Sequence, residues 1–150
     1  MQYIGIDTGW SGAVVLLDEF GNTLRTEYGF KTPQELFWTI SHMIPLIESV
    51  KAAIECIAFG PKGGRKSMAR FGEAYGIAQA ALMSREVPTV VVRAQQWQRV
   101  MLNKSDGPDS KARARVAFDR LFPYRSDVKH SGVIDAALIA EWLRRTNGGT

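Results

Sequence analysis

The stretch Gln2-Tyr3-Ile4-Gly5-Ile6-Asp7-Thr8-Gly9 constrains the fold of this chain more than any other. Its apolar residues predict a buried strand that ends at one carboxylate, Asp7, and a glycine-containing turn. A second apolar run, 12–18, follows at once, so the two strands are expected to form a hairpin. A carboxylate held at the edge of a buried strand is costly unless it has a partner. Asp7 is therefore either the cap of a turn, as Asp often is, or part of a functional site.

The next segments continue an antiparallel meander and then predict a helix. Residues 23–30 are expected to form the third strand. Thr32 is the predicted helix cap, with Pro33 in the first position. Pro45 is expected to kink or break the helix near its end. The predicted apolar stripe consists of Leu36, Phe37, Ile40, Met43, Ile44 and Ile47.

Residues 51–57 form a short apolar run that contains a single acid, Glu55. A strand that returns from a helix by a right-handed crossover lies parallel to the first strand. Glu55 is then expected near the same strand end as Asp7. Because a glutamate in an apolar strand is unfavourable without a cation or hydrogen-bond partner, a functional role is favoured for Glu55.

The second half of the chain predicts one more buried strand, 88–92, and three helices. A short helix, 94–102, directs Trp97 inward, and a second helix begins at Asp109 or Ser110. The final helix extends from about 132 to 145, with Asp135 in its first turn. An acid there suits the helix dipole. Its apolar neighbours also make Asp135 a candidate for a third buried carboxylate.

Basic residues are concentrated in the middle of the chain. The formal net charge is +4, yet residues 60–125 contain 13 Lys or Arg and only 5 Asp or Glu. Such a section indicates a phosphate-binding surface, although a solvated charged face is the simpler alternative. The aromatic residues Phe59 and Phe71 are candidate wedges against bases, with core packing as the alternative. The candidate phosphate contacts are Lys62, Arg65, Lys66, Arg70, Lys104 and Lys111.

Several functional classes are disfavoured by the sequence. Neither a GxGxxG nor a GxxxxGK[ST] pattern is present, which argues against a nucleotide cofactor. A single cysteine, Cys56, excludes an internal disulfide framework and a cysteine-based zinc cluster. No apolar run approaches the length of a membrane span. We expect one domain, 1–150, located in the cytoplasm with nucleoid-associated DNA, or in the host cytoplasm if the chain is phage-encoded.

Taken in order, these pieces resemble the RuvC-type Holliday junction resolvases of the ribonuclease H-like superfamily. The matching stretches include Ile4-Gly5-Ile6-Asp7-Thr8-Gly9, Ile54-Glu55, and 132–140 around Asp135. Trp97, ahead of a lysine-containing helix that ends in Leu121-Phe122-Pro123, also matches. The pairs Phe71-Gly72 and Tyr75-Gly76 resemble the phage and chloroplast branch in particular. The resemblance extends over nearly the whole chain.

The resemblance implies an α/β fold with a mixed five-stranded sheet, in which the antiparallel meander is joined by parallel strands and flanked by helices. It also implies a homodimeric endodeoxyribonuclease that acts in DNA recombination and repair. Such an enzyme resolves four-way junctions by two symmetric cuts that leave 5′-phosphates. The sequence has a basic loop at 59–67, which would be the junction-facing element, and the helix after it would be the dimer helix.

The same resemblance implies two Mg²⁺ or Mn²⁺ ions in each active site. Asp7 would bridge both ions, Glu55 would hold one and Asp135 the other. One departure from the family pattern concerns the positions just ahead of the helix acid, where the family usually has a further acid or, in some members, a histidine. This chain has His130, Ser131 and Gly132 there, with no carboxylate among them. His130 would supply an imidazole ligand or a general base, and Ser131 would be the helix cap.

Two other functions remain open from the sequence. The missing fourth acid is compatible with a junction-binding protein whose catalysis is impaired. A ribonuclease H-like nuclease that processes RNA would also contain the same three acids.

Overall fold

The computed structural model describes residues 1–56 and 64–147, and a mixed five-stranded sheet lies at its centre. The strand order is β3-β2-β1-β4-β5. The strands are β1 (Gln2–Asp7), β2 (Ala13–Leu17), β3 (Thr23–Tyr28), β4 (Val50–Glu55) and β5 (Thr89–Val92). The helices are α1 (Pro33–Met43), α2 (Arg65–Ser84), α3 (Ala94–Met101), α4 (Ser110–Leu121) and α5 (Ser131–Asn147).

The pairing of the strands confirms both the predicted meander and the predicted crossover. Strand β2 is antiparallel to β1 and to β3, whereas β4 is parallel to β1 and to β5. The register places Ile6 opposite Ile54. Asp7 follows Ile6, and Glu55 follows Ile54. The two acids are therefore the last residues of neighbouring parallel strands and lie at the same end of the sheet.

Each face of the sheet is covered by different helices. Because successive side chains of a strand point to opposite faces, Ile4 and Ile6 pack towards α1 and α2. Tyr3 on the same strand packs towards α3, α4 and α5. Helix α5 approaches β1 at Gly5, where an added Cβ would lie 2.0 Å from the carbonyl oxygen of Ala136. Only glycine permits this contact, which sets the position of α5 over the central strand.

The predicted cap of α1 is confirmed in the structure. Thr32 Oγ1 accepts a hydrogen bond from the backbone N–H of Glu35, and Pro33 is the first helical residue. The helix ends at Met43, just before Pro45, and Ile44, the next residue of the predicted stripe, is still buried. Ile47 is 97% exposed, and its assignment to the buried stripe was wrong.

Two other predictions are corrected, one on the burial of β5 and one on the residue at which α5 begins. Strand β5 was expected to be buried, but it lies at the edge of the sheet, where Val90 and Val91 are 43% and 48% exposed. Helix α5 begins at Ser131, earlier than predicted. Asp135 is therefore its fifth residue and lies beyond the first turn, so the helix dipole does not account for it.

Helix α2 presents two kinds of small residue. Ala74, Ala78 and Ala81 are buried in the cluster that includes α1. At Gly72 and Gly76, an added Cβ would meet no atom within 4 Å. Over the described part of the chain, no helix is long and apolar enough to cross a membrane.

Candidate active site

Asp7 and Glu55 are held at the ends of β1 and β4 by a bond between the two strand ends. The hydroxyl of Thr8 donates to the backbone carbonyl of Glu55 at 2.7 Å. Thr8 is itself buried, at 6% exposure. This hydrogen bond ties the residue after Asp7 to the backbone of Glu55. It therefore holds the ends of the two strands at the spacing of adjacent strands.

The Glu55 carboxylate is oriented by a buried tryptophan. The indole N–H of Trp97 on α3 donates to Glu55 Oε2 at 2.8 Å, and Trp97 is only 1% exposed. Burial raises the pKa of Glu55, and the bond from Trp97 lowers it in part. Because this indole is fixed in the core, it holds one carboxylate oxygen and leaves the other for a different partner.

The start of α5 is fitted closely against Asp7. A Cβ added at Gly132 would lie 3.1 Å from Asp7 Oδ2 and 2.9 Å from the backbone oxygen of Ser11. Glycine at this position lets the helix begin beside the carboxylate. Asp135 follows three residues later on the same helix, about one turn further along.

The three acids act on one another electrostatically. Burial, followed by the charges of Asp135 and Glu55, raises the pKa of Asp7 to about 8. Burial and the charge of Glu55 raise the pKa of Asp135 to about 7, although Lys111 opposes this increase. The three predicted acids therefore lie within electrostatic range of one another, where their negative charges are unfavourable.

The donor set fits a hard divalent cation. Carboxylate oxygens are the ligands that Mg²⁺ and Mn²⁺ prefer, and a cation would offset the repulsion that raises these pKa values. Within residues 1–56 and 64–147, no three Asp, Glu, His or Cys side chains are close enough together to enclose an ion. A cation held jointly by Asp7, Glu55 and Asp135 would therefore require these side chains to rearrange.

His130 forms the N-terminal cap of α5, a role that the sequence assigned to Ser131. Its carbonyl accepts from the N–H of Ile134, and its ring Nδ1 accepts from the N–H of Val133 at 3.3 Å. The ring also packs on Tyr28, with the centroids 4.5 Å apart. Since Nδ1 is an acceptor, the neutral ring carries its proton on Nε2.

His130 also lies close to Asp7. A Cβ added at Gly132 would be 3.1 Å from both His130 Cε1 and Asp7 Oδ2. The imidazole therefore borders the carboxylate site as well as capping the helix.

A cavity of about 570 Å³ adjoins Asp135 between α4 and the start of α5. Lys111, Arg115 and Lys129 contribute its positive charges. Arg115 already binds Asp119 and the carbonyl of Ser126, so part of the basic section has a structural role. Lys111 is exposed and acts on Asp135 electrostatically, as expected of a cation at a phosphate site.

The remaining basic and aromatic candidates fall into separate groups. Arg65, Lys66 and Arg70 are exposed on the first two turns of α2, and Lys104 is exposed in a 3₁₀ turn before α4. Phe71 is half-buried and lies against Gly9, with its Cε2 atom 3.6 Å from an added Cβ. Lys62 and Phe59 lie outside the described residues.

Comparison by sequence finds no matching family model and no matching curated protein. Two solved structures of RuvC from Thermus thermophilus match in fold, each with 17% sequence identity over 100% of this chain and 98% of theirs. The TM-scores are 0.74 for RuvC in complex with a Holliday junction substrate and 0.75 for the other structure. This chain has the RuvC-type fold. The similarity also confirms the predicted ribonuclease H-like α/β architecture.

Two features of this candidate site were missed at the level of sequence. Trp97 was predicted to point inward, but its bond to Glu55 depends on how α3 packs against α4 and α5. Trp10 was not singled out, although its Nε1–H donates to the carbonyl of Arg70 at 3.1 Å and joins the β1–β2 turn to α2. Both contacts connect residues more than 40 positions apart, and no local pattern encodes them.

Proposed function

We propose that this protein is a metal-dependent endonuclease that resolves four-way DNA junctions. It would make two symmetric phosphodiester cuts that leave 5′-phosphates, in DNA recombination and repair. The observation that carries the proposal is the group of three mutually repelling carboxylates, Asp7, Glu55 and Asp135, on three elements of a RuvC-type fold. Their raised pKa values support a functional role for these acids, because the shifts reflect charged groups that are unfavourable for stability.

The proposed cofactors are two Mg²⁺ or Mn²⁺ ions in each active site. Asp7, whose pKa is raised by the charges of both other acids, would be the ligand of both ions, with Glu55 and Asp135 holding one each. When bound, such ions activate water and stabilise negative charge on a scissile phosphate. Asp7 on β1, Glu55 on β4 and Asp135 on α5 would supply the oxygen ligands.

The residues around the acids have separate proposed roles. Trp97 orients Glu55 through its indole N–H. Lys111 provides a positive charge beside Asp135, where a DNA phosphate would enter. His130, with Nδ1 committed to the helix cap, carries its proton on Nε2 and can donate to a substrate oxygen. This proposal makes His130 a donor and replaces the predicted roles of ligand or general base.

The DNA partner is proposed from the fold and from charge. One of the RuvC structures is a complex with a Holliday junction substrate. The exposed cations at the start of α2, together with Lys104 and Lys111, are proposed to contact junction phosphates. A homodimer, with one active site for each cleaved strand, is proposed because symmetric cutting requires two sites. A location in the cytoplasm with the DNA belongs to the same proposal.

A junction cleavage assay tests this function. A synthetic four-way junction, labelled in turn on each strand, is incubated with the protein and Mg²⁺ or Mn²⁺. Paired nicks at symmetric positions are expected, with ligatable 5′-phosphate ends. Asp7→Asn is expected to abolish the nicks without loss of junction binding, whereas Asp127→Asn changes an exposed carboxylate and is the matched control. Absence of nicks with either metal, or full activity of Asp7→Asn, contradicts the proposal.

A second candidate function is junction binding without efficient cleavage. It is favoured by His130 at the place of a further acid, and by the open arrangement of the described acids. This candidate predicts tight binding to four-way junctions and no nicks with any divalent metal. The ribonuclease H-like RNA-processing alternative is tested in the same assay by structured RNA, which would then be cut in preference to the junction.

A further inference from the structure

A second cavity, of about 600 Å³, opens at the end of β1, and the described residues that line it include none from α4 or α5. One wall is the turn that follows β1, from Thr8 to Ser11, and the other is the start of α2. The volume is within the range of small-molecule sites in proteins. Since Thr8 follows Asp7 directly, the cavity lies at the same end of β1 as that carboxylate.

The two walls are held together by contacts of Trp10 and Phe71. The indole N–H of Trp10 donates to the carbonyl of Arg70 at 3.1 Å. The Phe71 ring lies against Gly9, which has φ +130, a conformation that L side chains rarely adopt. These two contacts therefore hold the walls of the cavity in place.

The lining combines aromatic rings with positive charge. Trp10 and Phe71 are half-buried, so part of each ring remains open to the cavity. Lys66 and Arg70 supply two cations, and no acidic side chain is among the described residues that line the cavity. Aromatic faces with adjacent cations are the usual chemistry for an unstacked base and its phosphate.

The geometry points to a nucleotide subsite: we infer that this cavity accepts one unstacked base of the cleaved DNA strand, close to the scissile phosphate. Trp10 and Phe71 contact the base, while Lys66 and Arg70 contact the neighbouring phosphates. The inference rests on the proposed function for the identity of the DNA. It adds a site that positions the strand by its base, separate from the carboxylates.

The test is a thermodynamic cycle between one side chain and one base. Single abasic sites are placed in turn at the two nucleotides on either side of the mapped cut in a four-way junction. Binding is measured without divalent cations, so no cleavage occurs. If junctions are not cut, the abasic sites are placed at each of the three nucleotides nearest the branch point in each strand.

At one position, loss of the base is expected to weaken binding of the unaltered protein by about tenfold, in line with the usual strength of base–aromatic stacking. In Trp10→Ala and in Phe71→Ala the same abasic site is expected to change binding by less than about twofold. Because each variant is compared with itself on two DNAs, any loss of folded protein cancels. Trp38→Ala removes an exposed tryptophan on α1 and is the matched control, which should retain the tenfold effect.

Charge at the subsite is tested by a second variant that leaves the Trp10 bond in place. Arg70→Gln keeps the backbone carbonyl that Trp10 requires, and it should reduce the slope of log affinity against log salt by about 1. The exposed Arg99 on α3 does not line the cavity, so Arg99→Gln should leave the slope unchanged.

Two results would overturn the subsite. One is that no abasic position weakens binding, and the other is an equal effect in Trp10→Ala, Phe71→Ala and the unaltered protein. Symmetric nicks together with either result would reject the subsite and retain the proposed function. Conversely, a base effect that depends on Trp10 in a protein that never cleaves would retain the subsite and reject the proposed nuclease.

Discussion

Trp97 donates its indole N–H to Glu55 Oε2 at 2.8 Å, so a buried residue of α3 holds a carboxylate at the end of β4. The bond satisfies a polar atom of a side chain that is 1% exposed. It also removes one rotational freedom from a proposed metal ligand. Trp97 is therefore a positioning residue, and its effect on activity is expected to be separable from its effect on the core.

Trp97→Phe is expected to lower the cleavage rate about tenfold and to raise the Mg²⁺ concentration needed for half-maximal activity. The physical reason is the loss of a hydrogen bond to a charged group, which contributes about 1.5–3 kcal/mol. Junction affinity should be unchanged. Rates are measured over a series of Mg²⁺ concentrations with excess enzyme.

The control for this variant is Phe122→Leu, which trims a ring buried in the same core cluster without touching Glu55. It should lose stability by a comparable amount while retaining its metal requirement. An equal change in metal requirement in both variants would show that Trp97 acts only through packing.

Gly132→Ala tests the fit between α5 and Asp7. The added methyl group would lie 2.9 Å from the oxygen of Ser11, a backbone atom, and 3.1 Å from Asp7 Oδ2. We expect a loss of about 1–3 kcal/mol in the free energy of unfolding and a reduction of cleavage by at least about tenfold. Chemical denaturation and cleavage rates are the measurements.

Gly72→Ala is the matched substitution, because no atom lies within 4 Å of the added methyl group. Since Gly72 is an exposed position of α2, this substitution should stabilise the protein by about 0.5–1 kcal/mol. The close fit at Gly132 is rejected if the two variants behave alike.

Replacement of Asp7 by a neutral residue should stabilise the metal-free protein at high pH. The pKa of Asp7 is raised to about 8 from a usual value of 3.8. Its protonated form favours folding, so this contribution is fully present below pH 4 and is lost as the pH rises to about 8. Asp7→Asn should therefore gain about 1–3 kcal/mol over the unaltered protein at pH 9, and almost nothing at pH 4. Denaturation in the presence of a chelator measures both differences.

Cation binding should release protons near neutral pH. With the pKa of Asp7 at about 8 and that of Asp135 at about 7, a bound cation displaces protons at pH 7. Titration calorimetry with Mn²⁺ in buffers of different ionisation enthalpy should show about one proton released at pH 7, and almost none at pH 9.5. Asp7→Asn should release fewer protons at pH 7; the same release in both proteins would contradict this assignment.

Two substitutions separate the cap role of His130 from its chemical role. Asn is a good helix cap, so His130→Asn should retain the stability of the protein, whereas His130→Ala should lose about 1 kcal/mol. If Nε2–H donates to substrate, both variants should cleave about tenfold more slowly. Full cleavage by His130→Asn would leave His130 with the cap role alone.

Local patterns predicted the sheet and most of its helices because the relevant interactions are close in sequence. Alternating apolar residues set β1 and β2, and Thr32 with Pro33 set the start of α1. The parallel placement of Glu55 beside Asp7 followed from the handedness of the crossover. The exposure of β5 was missed because an apolar strand reads the same at a sheet edge as at its centre.

The acids of the candidate site could also be predicted from the local sequence, whereas the contacts that hold them could not. Asp7, Glu55 and Asp135 stand out as acids among apolar neighbours, and the structure brings them together. The contacts of Trp97 and Trp10 depend on the packing of elements that are distant in sequence. The cap role of His130 was missed because the sequence offered Ser131, a better capping residue, at the next position.

The most direct test of the carboxylate site is a crystal structure of the protein with junction DNA and Mn²⁺, in which anomalous scattering locates the metal. We expect manganese within about 2.0–2.5 Å of oxygen atoms from all three of Asp7, Glu55 and Asp135. Manganese bound elsewhere, or bound near Asp7 and Glu55 with Asp135 turned away, would contradict the account.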